Sequence, residues 1–105
     1  MENKQANIQK RDTTFKQEHG AVSHALKRRP TQAIDRAVTG AGRLLAEDQA
    51  KQALNVLTLV KPILASQPED QQLAYWQAMT QIQLALGNQQ AAARAQEQAQ
   101  EISTH

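Results

Sequence analysis

Apolar residues recur every three or four positions along most of this chain, which is the spacing of one face of an α-helix. The strongest example is the stretch PEDQQLAYWQAMTQIQLALG, whose apolar stripe consists of Leu73, Tyr75, Trp76, Ala78, Met79, Ile82 and Leu86. The pattern predicts one helix from Pro68 to Leu86 and a second from Asn88 to Ile102. Gly87 can take the left-handed conformation that ends a helix, and Asn88 can cap the next one.

Two further stripes lie upstream. The first of these stripes predicts a helix with Thr31 as its N-cap. The helical spacing of its apolar residues continues across Gly40 and Gly42, so we expect one unbroken helix there. Its apolar residues are Ile34, Ala37, Val38, Ala41, Leu44 and Leu45. A turn is expected at residues 47–49. The next stripe comprises Ala53, Leu54, Val56, Leu57, Val60, Ile63 and Leu64. Pro62 predicts a kink in that helix because it lacks an amide hydrogen.

The N-terminal part divides into two segments. Residues 1–13 contain little to bury, which predicts a disordered basic arm. Residues 14–29 are predicted to form an amphipathic helix whose apolar face includes Phe15, Val22 and Leu26, and Pro30 is expected to end it. Thr14 with Gln17, and Ser66 with Glu69, have the spacing of capping boxes. The predicted organisation is therefore an arm, a short helix and a helical domain over residues 31–105.

The whole pattern predicts an all-α fold with two antiparallel helical hairpins after the amphipathic helix. In the second hairpin Trp76, Gly87, Ala92 and Ala99 lie where tetratricopeptide repeats place their Trp, turn Gly and packing Ala residues, and the hairpin resembles that family. The first hairpin matches through Ala41, Leu44 and Ala53, with a wider spacing between repeats than the family has. The resemblance extends to small bacterial tetratricopeptide-type chaperones, and it implies a stack that binds a segment of another protein.

The amino-acid composition limits which kinds of protein this chain can be. The 105 residues include no Cys and 3% aromatics, so disulfides are excluded and the core is built largely from small side chains. No apolar run has the length of a signal-peptide core or a membrane span, and we expect a cytoplasmic protein. Residues 1–30 hold seven cationic and three anionic side chains, whereas residues 31–105 hold five and seven. The basic character is therefore concentrated in the N-terminal third.

Nothing in the sequence favours catalysis. His19 and His24 are five positions apart, which points them in different directions around a helix, and His105 is the last residue. No nucleophile elbow or phosphate-binding glycine loop is present. We therefore expect no enzyme, no metal site and no cofactor.

The expected partner is a protein segment. Candidate protein-binding residues are Phe15, Val22, Leu26, Tyr75 and Trp76, and filling of the core is the alternative for the Tyr–Trp pair. Because small domains gain stability by oligomerising, residues 14–29 are also a candidate homodimer contact.

Two other functions remain open. The first alternative is an accessory nucleic-acid-binding protein, in which the basic cluster of Lys27, Arg28 and Arg29 contacts phosphates. The second is a self-associating structural module.

Overall fold

The computed structural model describes the backbone of residues 2–104 and the side chains of residues 13–104. Over that range the chain is helical without strands, which confirms the all-α class. The elements are α1 (Glu2–Arg28), α2 (Pro30–Ala46), α3 (Ala50–Thr58), a 3-10 helix (Lys61–Ser66), α4 (Glu69–Ala85) and α5 (Gln89–Ser103).

The helices form a flat layer of 53 × 35 × 15 Å. Helix α2 packs between α1 and α3, and both α2 and α3 contact α4. Helix α5 packs along α4. The grouping of these helices into two repeated hairpins stays a prediction.

The core lies where α2 meets its neighbours, and each predicted stripe contributes residues to it. Its largest fully buried side chains are Val22, Ile34, Leu44, Val56, Leu57, Val60, Tyr75 and Ile82. Small side chains complete it, among them Ala33, Ala37, Ala41 and Ala53. Because Ala lets backbones approach closely, a chain with few aromatic residues still forms a closely packed apolar core.

Helix α1 is longer than the sequence indicated. Its helical backbone starts at Glu2 and runs through the residues predicted to form a disordered arm. Thr14 lies inside this helix, so the predicted capping box at its start is wrong. The side chains of residues 1–12 and the whole of His105 lie outside the described residues, and the division into arm, helix and domain stays a prediction.

Helix α2 is continuous through both of its glycines, as predicted. At Gly40 an added Cβ would lie 2.6 Å from the Glu18 Oε2 atom of α1. The Glu18 side chain also accepts a 2.8 Å bond from Arg43 Nη1. Gly40 therefore permits the close approach of α1, and the ion pair joins the same two helices.

The segment around Pro62 departs from the predicted kinked helix. Helix α3 ends at Thr58, and a 3-10 helix begins at Lys61 with Pro62 in its first turn. Proline has no amide hydrogen to donate to the carbonyl of Thr58 and its ring clashes with that group, so the α-helix stops instead of bending.

Two predicted caps are corrected, and the position of a third is confirmed. Arg29 precedes α2 in place of Thr31, because Pro30 is well suited to the first helical position. Pro68 precedes α4, and Ser66 bonds the carbonyl of Ile63 instead. Asn88 does precede α5, without a side-chain cap bond.

Candidate functional site

A groove between α4 and α5 is lined by the chain's only tryptophan. It has a volume of about 330 Å³, and we call it the Trp groove; its lining residues are Trp76, Met79, Ala91, Arg94, Ala95, Glu97 and Gln98. The left-handed conformation of Gly87, with φ of 79°, turns the chain so that α5 lies back along α4. Small Ala side chains on α5 leave the indole and the thioether accessible between the two helices.

Adjacent aromatic residues of α4 have different environments. Tyr75 is 1% exposed and belongs to the core, whereas Trp76 is partly exposed and packs against the core with one side. Their rings meet edge to face, with centroids 4.9 Å apart and planes at 89°. Burial raises the pKa of the Tyr75 hydroxyl above its ordinary value of 10.0. Tyr75 therefore supports the indole from inside, and Trp76 is the member that a partner can reach.

Met79 and the charged residues of α5 complete the groove. The Met79 Sδ atom accepts a 3.6 Å bond from Gln83 Nε2, and Gln83 Oε1 accepts one from Asn88 beside the Gly87 turn. Arg94 and Glu97 are exposed, and neither forms an ion pair with another described residue. The groove thus combines an apolar floor with a free cation and a free anion.

The predicted contact residues on α1 face inward. Val22 is fully buried against the rest of the chain, and Phe15 and Leu26 are partly buried against the core. The Phe15 ring also lies 5.5 Å from that of His19. In this arrangement α1 covers its own domain, and Val22 and Tyr75 offer no surface to a partner.

The predicted basic cluster lies at the junction of α1 and α2. Lys27, Arg28 and Arg29 are all exposed, and none is paired with an acidic side chain in the described part of the chain. Contact with a nucleic acid through these residues stays a prediction.

No three His, Asp or Glu side chains among the described residues come together in the manner of a metal site. None of the helices in the described range is both long and apolar enough to cross a bilayer.

Comparison with known proteins returned no family model, no curated protein and no solved structure that matches this chain.

The sequence pattern missed part of the Trp groove. The apolar stripe includes Met79 without giving it a distinct role, and the pattern does not single out Arg94 or Glu97. The available signal was the Gly87 turn, because a hairpin brings the second helix beside Trp76. Which residues of that helix then face the indole depends on how the two helices are rotated about their axes.

Proposed function

We propose that this chain is a non-catalytic adaptor or small chaperone that binds a segment of a partner protein in the Trp groove. The observation that carries the proposal is the accessible indole of Trp76 beside Met79 in an open groove. Tryptophan contributes large binding energies at protein interfaces, and methionine adapts its shape to varied partners. The tetratricopeptide-like pattern of the second hairpin supports the same role.

The groove also indicates the chemistry of its partner. An apolar side chain of the partner would lie on Trp76 and Met79, where it is removed from water. Arg94 favours an acidic group at one position of the partner segment, and Glu97 favours a basic group at another. An amphipathic helix with mixed charges on its rim meets these requirements, as in other helix-in-groove complexes.

The test uses Trp76 as its own reporter. Because it is the only Trp in the chain, a partner segment that covers the indole should shift its emission to shorter wavelength and protect it from a soluble quencher. Met79→Glu should abolish capture of that partner from an extract of the source cells, and Arg94→Glu should weaken its binding by about tenfold. Lys51→Glu, with the same charge change at an exposed site on α3, is the matched control and should bind normally.

Met79 packs partly against the core, so capture by Met79→Glu is interpreted together with the melting temperature of that variant, whereas Arg94→Glu changes an exposed residue. Trp76 itself is left unchanged. Trp76 also packs against the core, so Trp76→Ala would lower the free energy of unfolding by roughly 3 kcal/mol and confuse folding with binding. The opposite result would be a partner that binds without changing Trp76 emission and is still captured by the Met79→Glu variant. That result would place the binding site elsewhere and contradict the proposal.

The nucleic-acid alternative uses a different part of the molecule, the exposed cations Lys27, Arg28 and Arg29. Such binding would weaken steeply with salt, as phosphate contacts do. It would leave the emission of Trp76 unchanged because the Trp groove would stay open.

A further inference from the structure

A second surface of α4 carries an exposed ridge formed by Gln77, Gln81 and Leu84. Their spacing of four and three residues places them in one line along the helix. Leu84 is 53% exposed, more than any other large apolar side chain in the described part of the chain. Since a single exposed leucine is common on protein surfaces, its surroundings decide whether it has a role.

Grooves flank this ridge on both sides. The groove toward α2 has a volume of about 320 Å³ and an apolar floor that includes Val38, Ala41 and Ile82. The groove toward α5 has a volume of about 400 Å³, and Ala99 is among its lining residues. Gln77 and Gln81 line both grooves, so the two grooves and the ridge form one continuous surface, which we call the neutral face.

The neutral face has no charged residue in the lining of either groove. This is unusual in a chain of which 21% is charged. Its ridge amides are also unoccupied: neither Gln77 nor Gln81 forms a side-chain hydrogen bond with another described residue. By contrast, Gln71 and Gln72 of the same helix donate to backbone carbonyls at 3.0 and 2.7 Å.

We infer that the neutral face pairs with the same face of a second copy of this chain. Two-fold symmetric association brings a surface against itself, so the surface must be complementary to its own copy. A ridge with a groove beside it satisfies this condition, because each copy can place its ridge in the groove of the other. In such a dimer, the Leu84 side chain of each copy leaves water and enters an apolar groove of the other copy.

The chemistry of the face favours its own copy over another protein. A charged residue near a two-fold axis would meet the same charge, whereas an uncharged lining avoids that repulsion. The amide of Gln81 both donates and accepts hydrogen bonds, so it can bond an identical amide in the partner copy. The thin core of this small domain gains apolar burial from the association.

The neutral face is separate from the Trp groove. At 100° per residue, the line through Gln77, Gln81 and Leu84 is turned about 140° around α4 from the direction of Trp76 and Met79. A dimer formed through the neutral face therefore leaves both Trp grooves open. The inference does not depend on the proposed adaptor function, and a test of one leaves the other unaffected.

The experiment is sedimentation of the full chain over a series of micromolar concentrations. The wild type should pass from monomer to dimer along the series. Gln81→Arg should raise the dimer dissociation constant by about tenfold or more, because it places like charges in the interface. Leu84→Glu should act in the same direction. Gln17→Arg, the same change at an exposed position of α1, is the matched control and should dimerise as the wild type does.

A charge-swap experiment identifies the partner as a second copy. Gln81→Arg and Gln81→Glu should each be monomeric alone, with helical content and melting temperature close to those of the monomeric wild type. Mixed in equal amounts, they should form a heterodimer. A wild type that stays monomeric at every concentration would overturn the inference, and so would a dimer that Gln81→Arg and Leu84→Glu leave unchanged.

Discussion

At the scale of single residues, missing side chains decide how near the helices of this chain can come. The absent Cβ of Gly40 leaves room for Glu18, whose Cβ would be 3.1 Å away and whose Oε2 would be nearer still. Gly42, one half-turn further along α2, has no neighbouring atom within 4 Å of the corresponding position. The two glycines therefore look alike in the sequence and differ in their surroundings.

This difference predicts opposite effects of the same substitution. Gly42→Ala should raise the free energy of unfolding by about 0.5–1 kcal/mol, since Ala is the better helix former. Gly40→Ala should lower it by about 1–2 kcal/mol, because the Glu18 side chain, whose Cβ would lie 3.1 Å from the new methyl group, must move to admit it. Urea titration of both variants measures the difference. Equal stabilisation by the two would show that α1 does not approach α2 as described.

Tyr75 makes stability depend on pH in the alkaline range. Burial raises the pKa of its hydroxyl in the folded chain above 10.0, so the unfolded chain loses this proton first as the pH rises. The contribution of Tyr75 is fully present below pH 10.0 and is lost as the pH rises toward its folded pKa. When melting temperatures are measured at pH values below and above 10.0, they should fall more steeply with rising pH for the wild type than for Tyr75→Phe. Parallel curves would contradict the prediction.

At the scale of elements, a buried stripe and polar contacts among the described side chains hold α1 to the domain. Val22 and Ala25 lie in the core. The hydroxyl of Thr14 donates to Glu47 Oε1 at 3.3 Å, and Arg43 donates to Glu18. Because exposed ion pairs contribute little and Arg43 is 65% exposed, the apolar contacts supply most of the attachment.

Truncation of Val22 tests that attachment. Val22→Ala should lower the free energy of unfolding by about 2 kcal/mol, the usual cost of emptying part of a packed core. His24→Ala, at an exposed position two residues along the same helix, should change it by less than about 0.5 kcal/mol. If Val22→Ala instead left stability unchanged and dissociated a dimer, α1 would pack against a second copy of the chain. That result would support the homodimer contact predicted for residues 14–29.

At the scale of the whole molecule, the flat shape exposes two sides of the α4–α5 pair. One side presents the Trp groove, with Arg94 and Glu97 at its rim. The other presents the neutral face, where the groove linings are uncharged. The charged rim suits a partner of complementary charge, and the uncharged face suits a like surface. The two proposed interactions therefore use separate surfaces and would not compete with each other.

Much of the secondary structure followed from the sequence alone. Periodic apolar residues located the helices, and the same periodicity identified Ile34, Leu57 and Ile82 as buried. Gly87 marked a turn because it takes a backbone conformation that other residues avoid. Such features are local, since they depend on residues within one or two helical turns.

Other features were decided by contacts between distant parts of the chain. The pattern grouped Tyr75 and Trp76 on one stripe, and only the packing of α4 made one of them core and left the other accessible. Gln77, Gln81 and Leu84 carried no signal in the sequence, because a polar ridge is recognised only by the grooves that α2 and α5 form beside it. Helix periodicity determines which face of each helix is buried, whereas the rotation and approach of neighbouring helices determine which surfaces remain for partners.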